Sequence, residues 1–188
     1  MAKVTVKKVG LMPHVALLRG INVGGKNLVP MAALTEMFVK AGCEGVRTYI
    51  QSGNVVFAAA AGDAAKLPGL ISKRIEKRLG LRVPVVLRTA AELRRVVNGN
   101  PFAGSEDVLH VAFLADEPTK AQVAALDPER SPGDSFLVRG REVYMHCPNG
   151  MARTKLTNAY FDSKLGTVST ARNWRTVLKL VEMVGEVG

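Results

Sequence analysis

Cysteine, tryptophan and acidic residues are all scarce in this chain. Its 188 residues include two cysteines and one tryptophan, and aromatic residues make up 5%. Cys43 and Cys147 stand far apart and outside any C-x-x-C spacing, which argues against a disulfide framework or a zinc site and for a reduced, cytoplasmic setting. His14, His110 and His146 form no H-E-x-x-H motif and no His/Cys cluster, so no metal and no cofactor is expected. No G-x-S-x-G elbow surrounds Ser52, and neither cysteine has a base beside it in sequence, so nucleophilic catalysis has no motif to rest on. Nothing approaches the run of about 18 apolar residues that a membrane-spanning helix needs. Near the N-terminus Lys7 and Lys8 precede an apolar run, as in a secretion signal, but Pro13 and His14 interrupt it and no small-residue cleavage site follows. Secretion and membrane association are therefore not expected.

The shortage of acid leaves charge of one sign in excess. Lys and Arg number 26 against 16 Asp and Glu, for a formal net charge of +10. Such a field attracts nucleic acid, nucleotides and other anions, although the cations are dispersed and also serve solubility. With 47% apolar residues the chain can build one large domain or two small ones.

Periodicity orders the elements. HVALL (14–18) predicts a strand ending at a glycine-rich turn. A helix follows, with Pro30 at its first position and Met31, Leu34 and Phe38 at helical spacing. VRTYI (46–50) and NVVF (54–57) flank a turn at Gln51, Ser52 and Gly53 and predict a hairpin. A helix over 66–79 carries Leu70, Ile71, Ile75 and Leu79 on one stripe, and RVPVVL (82–87) predicts the next strand. This order is the split βαβ arrangement of ferredoxin-like domains.

The remainder nearly repeats it: a helix over 90–97, a strand over 108–114, a helix over 119–126, the hairpin FLVRGREVYMH, and helices over about 152–165 and 171–184. The fold class expected is α+β, two packed ferredoxin-like subdomains, the second degenerate, with its last strand missing or replaced and extra C-terminal helices. The boundaries expected are an N-terminal extension over 1–13, a first subdomain over 14–89 and a second over 90–188. Both faces of the first strand are apolar, so its sheet is covered on both sides and the halves pack on one another. In the last helix Trp174, Val177, Leu178, Val181 and Val184 form a stripe for the core.

GINVGGKN (20–27) spells a phosphate-binding loop up to its last position, where Asn27 replaces the Ser or Thr that would ligate Mg²⁺. Pro30 starts the helix too late, and a split βαβ sheet is antiparallel where such loops need a parallel one. Glycines that bare the backbone, beside a lysine and ahead of a helix, still suit an anion, or else merely reverse the chain. Topology adds to the first reading. The loop after strand one, the hairpin after strand two and the turn before strand four share one end of the sheet, which gathers Arg19, Asn22, Gly24, Gly25, Lys26 and Asn27 with Gln51, Ser52, Asn54 and Arg82 as a basic rim. Arg153 and Lys155, expected in the first turns of a helix, and Arg172, on the outer side of the last helix, are secondary anion-binding candidates.

ALLRGINVGGKNLVPM, TYIQSGNVVF, GMARTKLTN and STARNWRTVLKL resemble, in this order, the signature stretches of the bacterial domain of unknown function 1697. The resemblance runs from about His14 to near the C-terminus and implies small proteins of two α+β subdomains with no established activity. It adds no catalytic residue. His14 departs from the aromatic residue often found there.

The reading that follows is a protein that binds a phosphate-bearing partner at the rim, nucleic acid or a phosphorylated small molecule, nucleic acid being preferred for the overall charge. VALLRG and SGNVVF lack the paired aromatics by which an RNA-recognition sheet stacks bases. Two other readings stand beside it. One is an enzyme acting on a small phosphorylated or carboxylated metabolite, with Lys26 and Arg19 as electrostatic stabilisers and Asp116 or Glu117 as base. The other is a module whose basic surface meets an acidic protein.

Overall fold

Valine, leucine and alanine alternating across two apolar faces make β1 (Leu11–Leu18) a central strand, and a computed structural model describing residues 10–187 shows it in the middle of its sheet. The strand begins three residues before the boundary drawn at His14, while most of the expected extension, residues 1–9, lies outside the described residues. Next come α1 (Met31–Val39), β2 (Glu44–Tyr49), β3 (Asn54–Ala60), the short α2 (Ala61–Ala64), α3 (Leu67–Leu79) and β4 (Val85–Thr89). Pro30 is the residue capping α1, with extended backbone, and not its first helical position. The strands form an antiparallel sheet in the order β2-β3-β1-β4.

The second half contains α4 (Ala90–Asn98), β5 (Leu109–Leu114), α5 (Lys120–Ala124), β6 (Ser135–Arg139), β7 (Glu142–His146), α6 (Asn158–Leu165), β8 (Ser169–Asn173) and α7 (Trp174–Gly185). Its sheet has the order β6-β7-β5-β8, the same as the first. The protein is thus a mixed α+β structure of two four-stranded antiparallel sheets with helices. The last strand of the repeat is present, contrary to the sequence expectation. β8 was hidden because STARN is short and polar, and its end merges with the amphipathic helix behind it. Asn173 separates the two, its Oδ1 accepting from the Thr176 N–H at 2.8 Å as the cap of α7.

Two further expectations change. The helix expected over 152–165 begins only at Asn158, where Thr157 caps it, so Arg153 and Lys155 lie in the preceding turn and not on a helix. Leu178 is exposed, while Trp174, Val177 and Val184 are buried as the stripe requires.

Three apolar clusters hold these layers. Ala16, Leu18 and Phe57 on one face of the first sheet pack against Phe38 of α1 and Ile71 and Ile75 of α3. Val15, Leu17 and Val56 on its other face share a core with Val111 and Phe113 of the second sheet and with Leu93 of α4 and Val177 of α7. Phe161 and Leu165 of α6 cover the far side of the second sheet. Each fully buried Leu, Ile or Phe contributes about 1.5–3 kcal/mol, so the central cluster fixes how the halves sit and hence the seam between them. No helix among the described residues is long and apolar enough to cross a membrane.

Candidate functional site

The GINVGGKN loop folds as a small hairpin of its own. Val23 and Lys26 pair across Gly24 and Gly25, whose φ of +55° and +72° are those of a primed turn. The Lys26 N–H donates to the Val23 carbonyl at 3.0 Å, so it does not point at a ligand. Asn22 and Asn27 brace the loop with their amides. Asn22 Nδ2 donates to the carbonyls of Val29 and Gln51 at 3.0 and 2.9 Å, its Oδ1 accepts from the Val29 N–H at 2.8 Å, and Asn27 Nδ2 donates to the Gly20 carbonyl at 2.9 Å.

The bends of the first half do meet at one end of its sheet. Leu18 N–H donates to Gly53 O at 2.8 Å and Arg19 N–H to Pro84 O at 3.0 Å. Gly53 is tightly held, with φ +80° and room so short that a Cβ would lie 2.7 Å from that of Leu18. Gly53→Ala is expected to lower the unfolding free energy by about 3 kcal/mol, combining left-handed strain with overpacking. Gly25→Ala, also left-handed but in open space, is expected to cost about 1 kcal/mol. Urea titration of the two variants measures both.

The side chains expected on the rim disperse. Lys26 is exposed on the hairpin tip, Gln51 is exposed, and Arg82 turns away to Glu76 at 2.8 Å. Arg19 meets the Asp162 carboxylate of α6, which also accepts from the Ser169 N–H and Oγ at 2.8 and 2.7 Å. The Arg19 charge is thus already neutralised by the protein. Ser52 Oγ accepts from Asn54 Nδ2 at 2.9 Å, and Asn54 is wholly buried.

The cation that remains is Arg172. It stands on β8, not on the outer side of the last helix, and its side chain crosses the seam into the first half. Nε donates to Asn54 Oδ1 at 2.6 Å, Nη1 to Thr170 Oγ1 and Ala171 O at 2.9 and 2.8 Å, and Nη2 to the carbonyls of Leu18 and Ser52 at 2.7 and 3.1 Å. Every acceptor is neutral. Burial alone pulls the guanidinium down to about 10, still charged at neutral pH, and the shift from 12.5 corresponds to a cost of about 3 kcal/mol for carrying that charge.

The other half supplies an internal control. Strand register makes Arg88 of β4 the counterpart of Arg172, since each stands one residue before its helix cap, Arg88 pairing with Val15 of β1 and Arg172 with Val111 of β5. Arg88 reaches across the seam the other way, Nη2 donating to the carbonyls of Leu114 and Arg141 at 2.8 and 2.9 Å, as Arg172 does to those of Leu18 and Ser52. Its Nε, however, meets a carboxylate, Glu142 Oε1, at 2.7 Å. Glu142 opens β7 as Asn54 opens β3. A second carboxylate follows the same rule. Glu92, third residue of α4, takes the Thr89 N–H at 2.7 Å in a capping box and pairs with Arg141, and its counterpart three residues past the cap of α7 is Thr176. Burial would raise the Glu92 carboxyl, but the Thr89 hydrogen bonds and the charges of Arg141 and Arg88 hold it below the usual carboxylate range. At these positions the Arg88 seam carries two carboxylates and the Arg172 seam carries Asn54 and Thr176, its ion pair being that of Asp162 with Arg19.

A hollow of about 450 Å³ opens at the seam that lacks them. Its polar lining is Arg19, Ser52, Asn158, Thr170, Arg172, Asn173 and Thr176, with no carboxylate. Asn158 opens α6 and Asn173 caps α7, so the positive ends of both helix dipoles face the same space as the buried guanidinium. Arg19, Ser52 and Arg172 are therefore the expected residues that reach the hollow. Gly24, Gly25, Lys26, Asn27, Gln51 and Arg82 do not line it, Asn22 braces its wall, Asn54 sits behind Arg172, and Arg153 and Lys155 are elsewhere. Sequence reasoning missed Asn158, Asn173 and Thr176, and aligning the two halves at their cap residues would have found Thr176 opposite Glu92. Glu117 lines the Glu92 and Glu142 pocket, of about 360 Å³, and Asp116 bonds to Thr167, so neither faces the hollow.

Comparison with known proteins agrees on the fold. The conserved bacterial protein SP0830 from Streptococcus pneumoniae superposes with a TM-score of 0.68 over 93% of this chain and 99% of its own, at 23% identity, which speaks to architecture alone. No curated protein matches the chain. A family profile matches residues 12–144, ending before the GMARTKLTN and STARNWRTVLKL stretches. The chain belongs to the family described as protein of unknown function DUF1697.

Proposed function

We propose that this protein binds a small phosphate- or carboxylate-bearing ligand in the hollow between its halves, with Arg172 as the cationic floor. Each half is read here as a split βαβ unit, and the repeat of that unit is what makes the two seams comparable. The observation that carries the reading is the pairing of Arg88 with Glu142 against that of Arg172 with Asn54. A charge buried at a cost of about 3 kcal/mol and met only by neutral acceptors is a charge that an incoming anion relieves. The N-termini of α6 and α7 add to the same field, and Asn158, Asn173 and Thr176 are polar residues of the lining.

Burial of Arg172 favours a small molecule over a nucleic acid polymer, because a chain of phosphodiesters is held by exposed cations along a groove and Arg172 is only 8% exposed. Among the described residues no carboxylate lines the hollow, so it offers a bound ligand no general base of that kind, and a binding role is favoured over turnover.

The test is a calorimetric and thermal-unfolding titration with inorganic phosphate. The wild type is expected to bind one phosphate and to gain stability, by about 2.7 kcal/mol at ~100 times the dissociation constant. Arg172→Met is expected to lose the response, and Lys26→Ala to keep it. A response that survives in Arg172→Met, or none in the wild type, contradicts the reading.

A further inference from the structure

The wall facing Arg172 is apolar and strained, which bears on what the ligand carries besides its charge; the inference rests on the anion-binding reading above. Ile50 sits in the left-handed region with φ +48°, a conformation that a β-branched side chain adopts only at a cost. Glycine or asparagine fits such a turn position without strain, and Asn22 and Asn27 do so nearby at φ +54° and +50°. Nothing in the first half requires isoleucine there, since its side chain is not packed in a core cluster and the residue is 52% exposed. Ile50 lines the hollow together with Val23, which is 65% exposed on the GGKN hairpin, while the Ile21 side chain packs beneath Gly53 in the core. Solvated turn tips are ordinarily polar, so two large apolar groups at the mouth of a pocket whose floor is a guanidinium form a two-part surface.

The donors of Arg172 point the same way. Its three nitrogens are already engaged by neutral acceptors of the chain, so it contributes charge to the ligand more than new hydrogen bonds. Charge alone does not select one anion among many, and selection then falls to the apolar wall.

We infer that the ligand is a small organic anion with a single terminal anionic group on an apolar body, the anionic end directed at Arg172 and the N-termini of α6 and α7 and the body lying against Val23 and Ile50. A free inorganic anion fills only the floor, and a polyol phosphate places hydroxyls against the apolar wall, where they lose hydrogen bonds to water.

Three probes separate these cases on the full chain: inorganic phosphate, glycerol 1-phosphate and phenyl phosphate, titrated by calorimetry. Phenyl phosphate is expected to bind the wild type at least ten-fold more tightly than either of the others. In the double variant Val23→Ser, Ile50→Asn that advantage is expected to disappear while the affinity for inorganic phosphate stays within about two-fold, and the melting temperature is expected to rise or hold, because asparagine suits the left-handed turn. A single-stranded oligonucleotide is expected not to displace bound phenyl phosphate. If phosphate binds through Arg172 but the phenyl group adds nothing, or the double variant keeps the advantage, this inference is overturned and the anion-binding reading stands. If no phosphate binds the wild type, the anion-binding reading itself falls. Displacement by the oligonucleotide overturns the small-ligand assignment.

Discussion

Arg88→Ala lowers the unfolding free energy by about 3–5 kcal/mol, the expected result of stranding a carboxylate that the fold has buried for its partner. Glu142 is 16% exposed at its side chain and Arg88 not at all. Truncating the arginine leaves that carboxylate without its cation and the Leu114 carbonyl without the guanidinium, while the Arg141 carbonyl keeps the Leu114 N–H at 2.8 Å. Arg172→Met, at the equivalent position, is expected to cost less than Arg88→Ala, because the acceptors it leaves are neutral and no carboxylate is stranded. It forfeits hydrogen bonds to neutral acceptors but also removes a charge whose burial already costs about 3 kcal/mol. Urea denaturation at neutral pH measures the difference between the two. Equal losses contradict the asymmetry of the seams. Glu142→Gln removes the carboxylate from Arg88 while Glu92 and Glu117 still line that pocket; it is expected to destabilise the protein without creating a response to phosphate.

Much of the architecture was legible because strand and helix periods are written in the apolar residues. Val15 and Leu17 against Ala16 and Leu18 announced a strand covered on both faces, and the two faces indeed join different cores. Ile71 and Ile75 announced α3, and the turn at Gln51, Ser52 and Gly53 announced the β2–β3 hairpin. β8 was not legible, because Ser169 and Thr170 are buried by hydrogen bonding and not by apolarity; Ser169 Oγ donates to Asp162 at 2.7 Å, an interaction that no local pattern records. Without the strand, Arg172 falls on the outer side of the last helix, as a secondary anion-binding candidate and not as a residue of the seam.

The site was legible as a region and not as a set of atoms. Topology gathered the bends after β1 and β2 at one end of the sheet, and Leu18 and Gly53 do meet there. The glycine loop drew attention through its likeness to a phosphate cradle, yet its amides Asn22 and Asn27 serve the loop itself. What sets the electrostatics is a pair 118 residues apart, Asn54 and Arg172, whose meaning shows only beside Glu142 and Arg88. The repeat was visible in sequence, but its informative comparison lies at the first residue of β3 and β7 and at the residue before each helix cap, positions that propensity does not mark.

Asn54→Asp tests the central claim most directly, since it installs on the Arg172 seam the countercharge that Glu142 provides on the Arg88 seam. Asn54 Oδ1 lies 2.6 Å from Arg172 Nε, so an aspartate there forms a charge-assisted hydrogen bond without moving the guanidinium. It forfeits the amide bonds to Tyr49 O and Ser52 Oγ, of which the serine hydroxyl can replace its own by donating. The net expectation is a gain of about 1 kcal/mol in unfolding free energy. With the charge satisfied, an exogenous anion meets a neutral pair and a like-charged carboxylate behind it. The measurement is calorimetric titration of phosphate into the wild type and Asn54→Asp side by side. The account predicts one-to-one binding in the wild type and no detectable heat in a variant that melts at least as high; undiminished phosphate affinity in Asn54→Asp contradicts it.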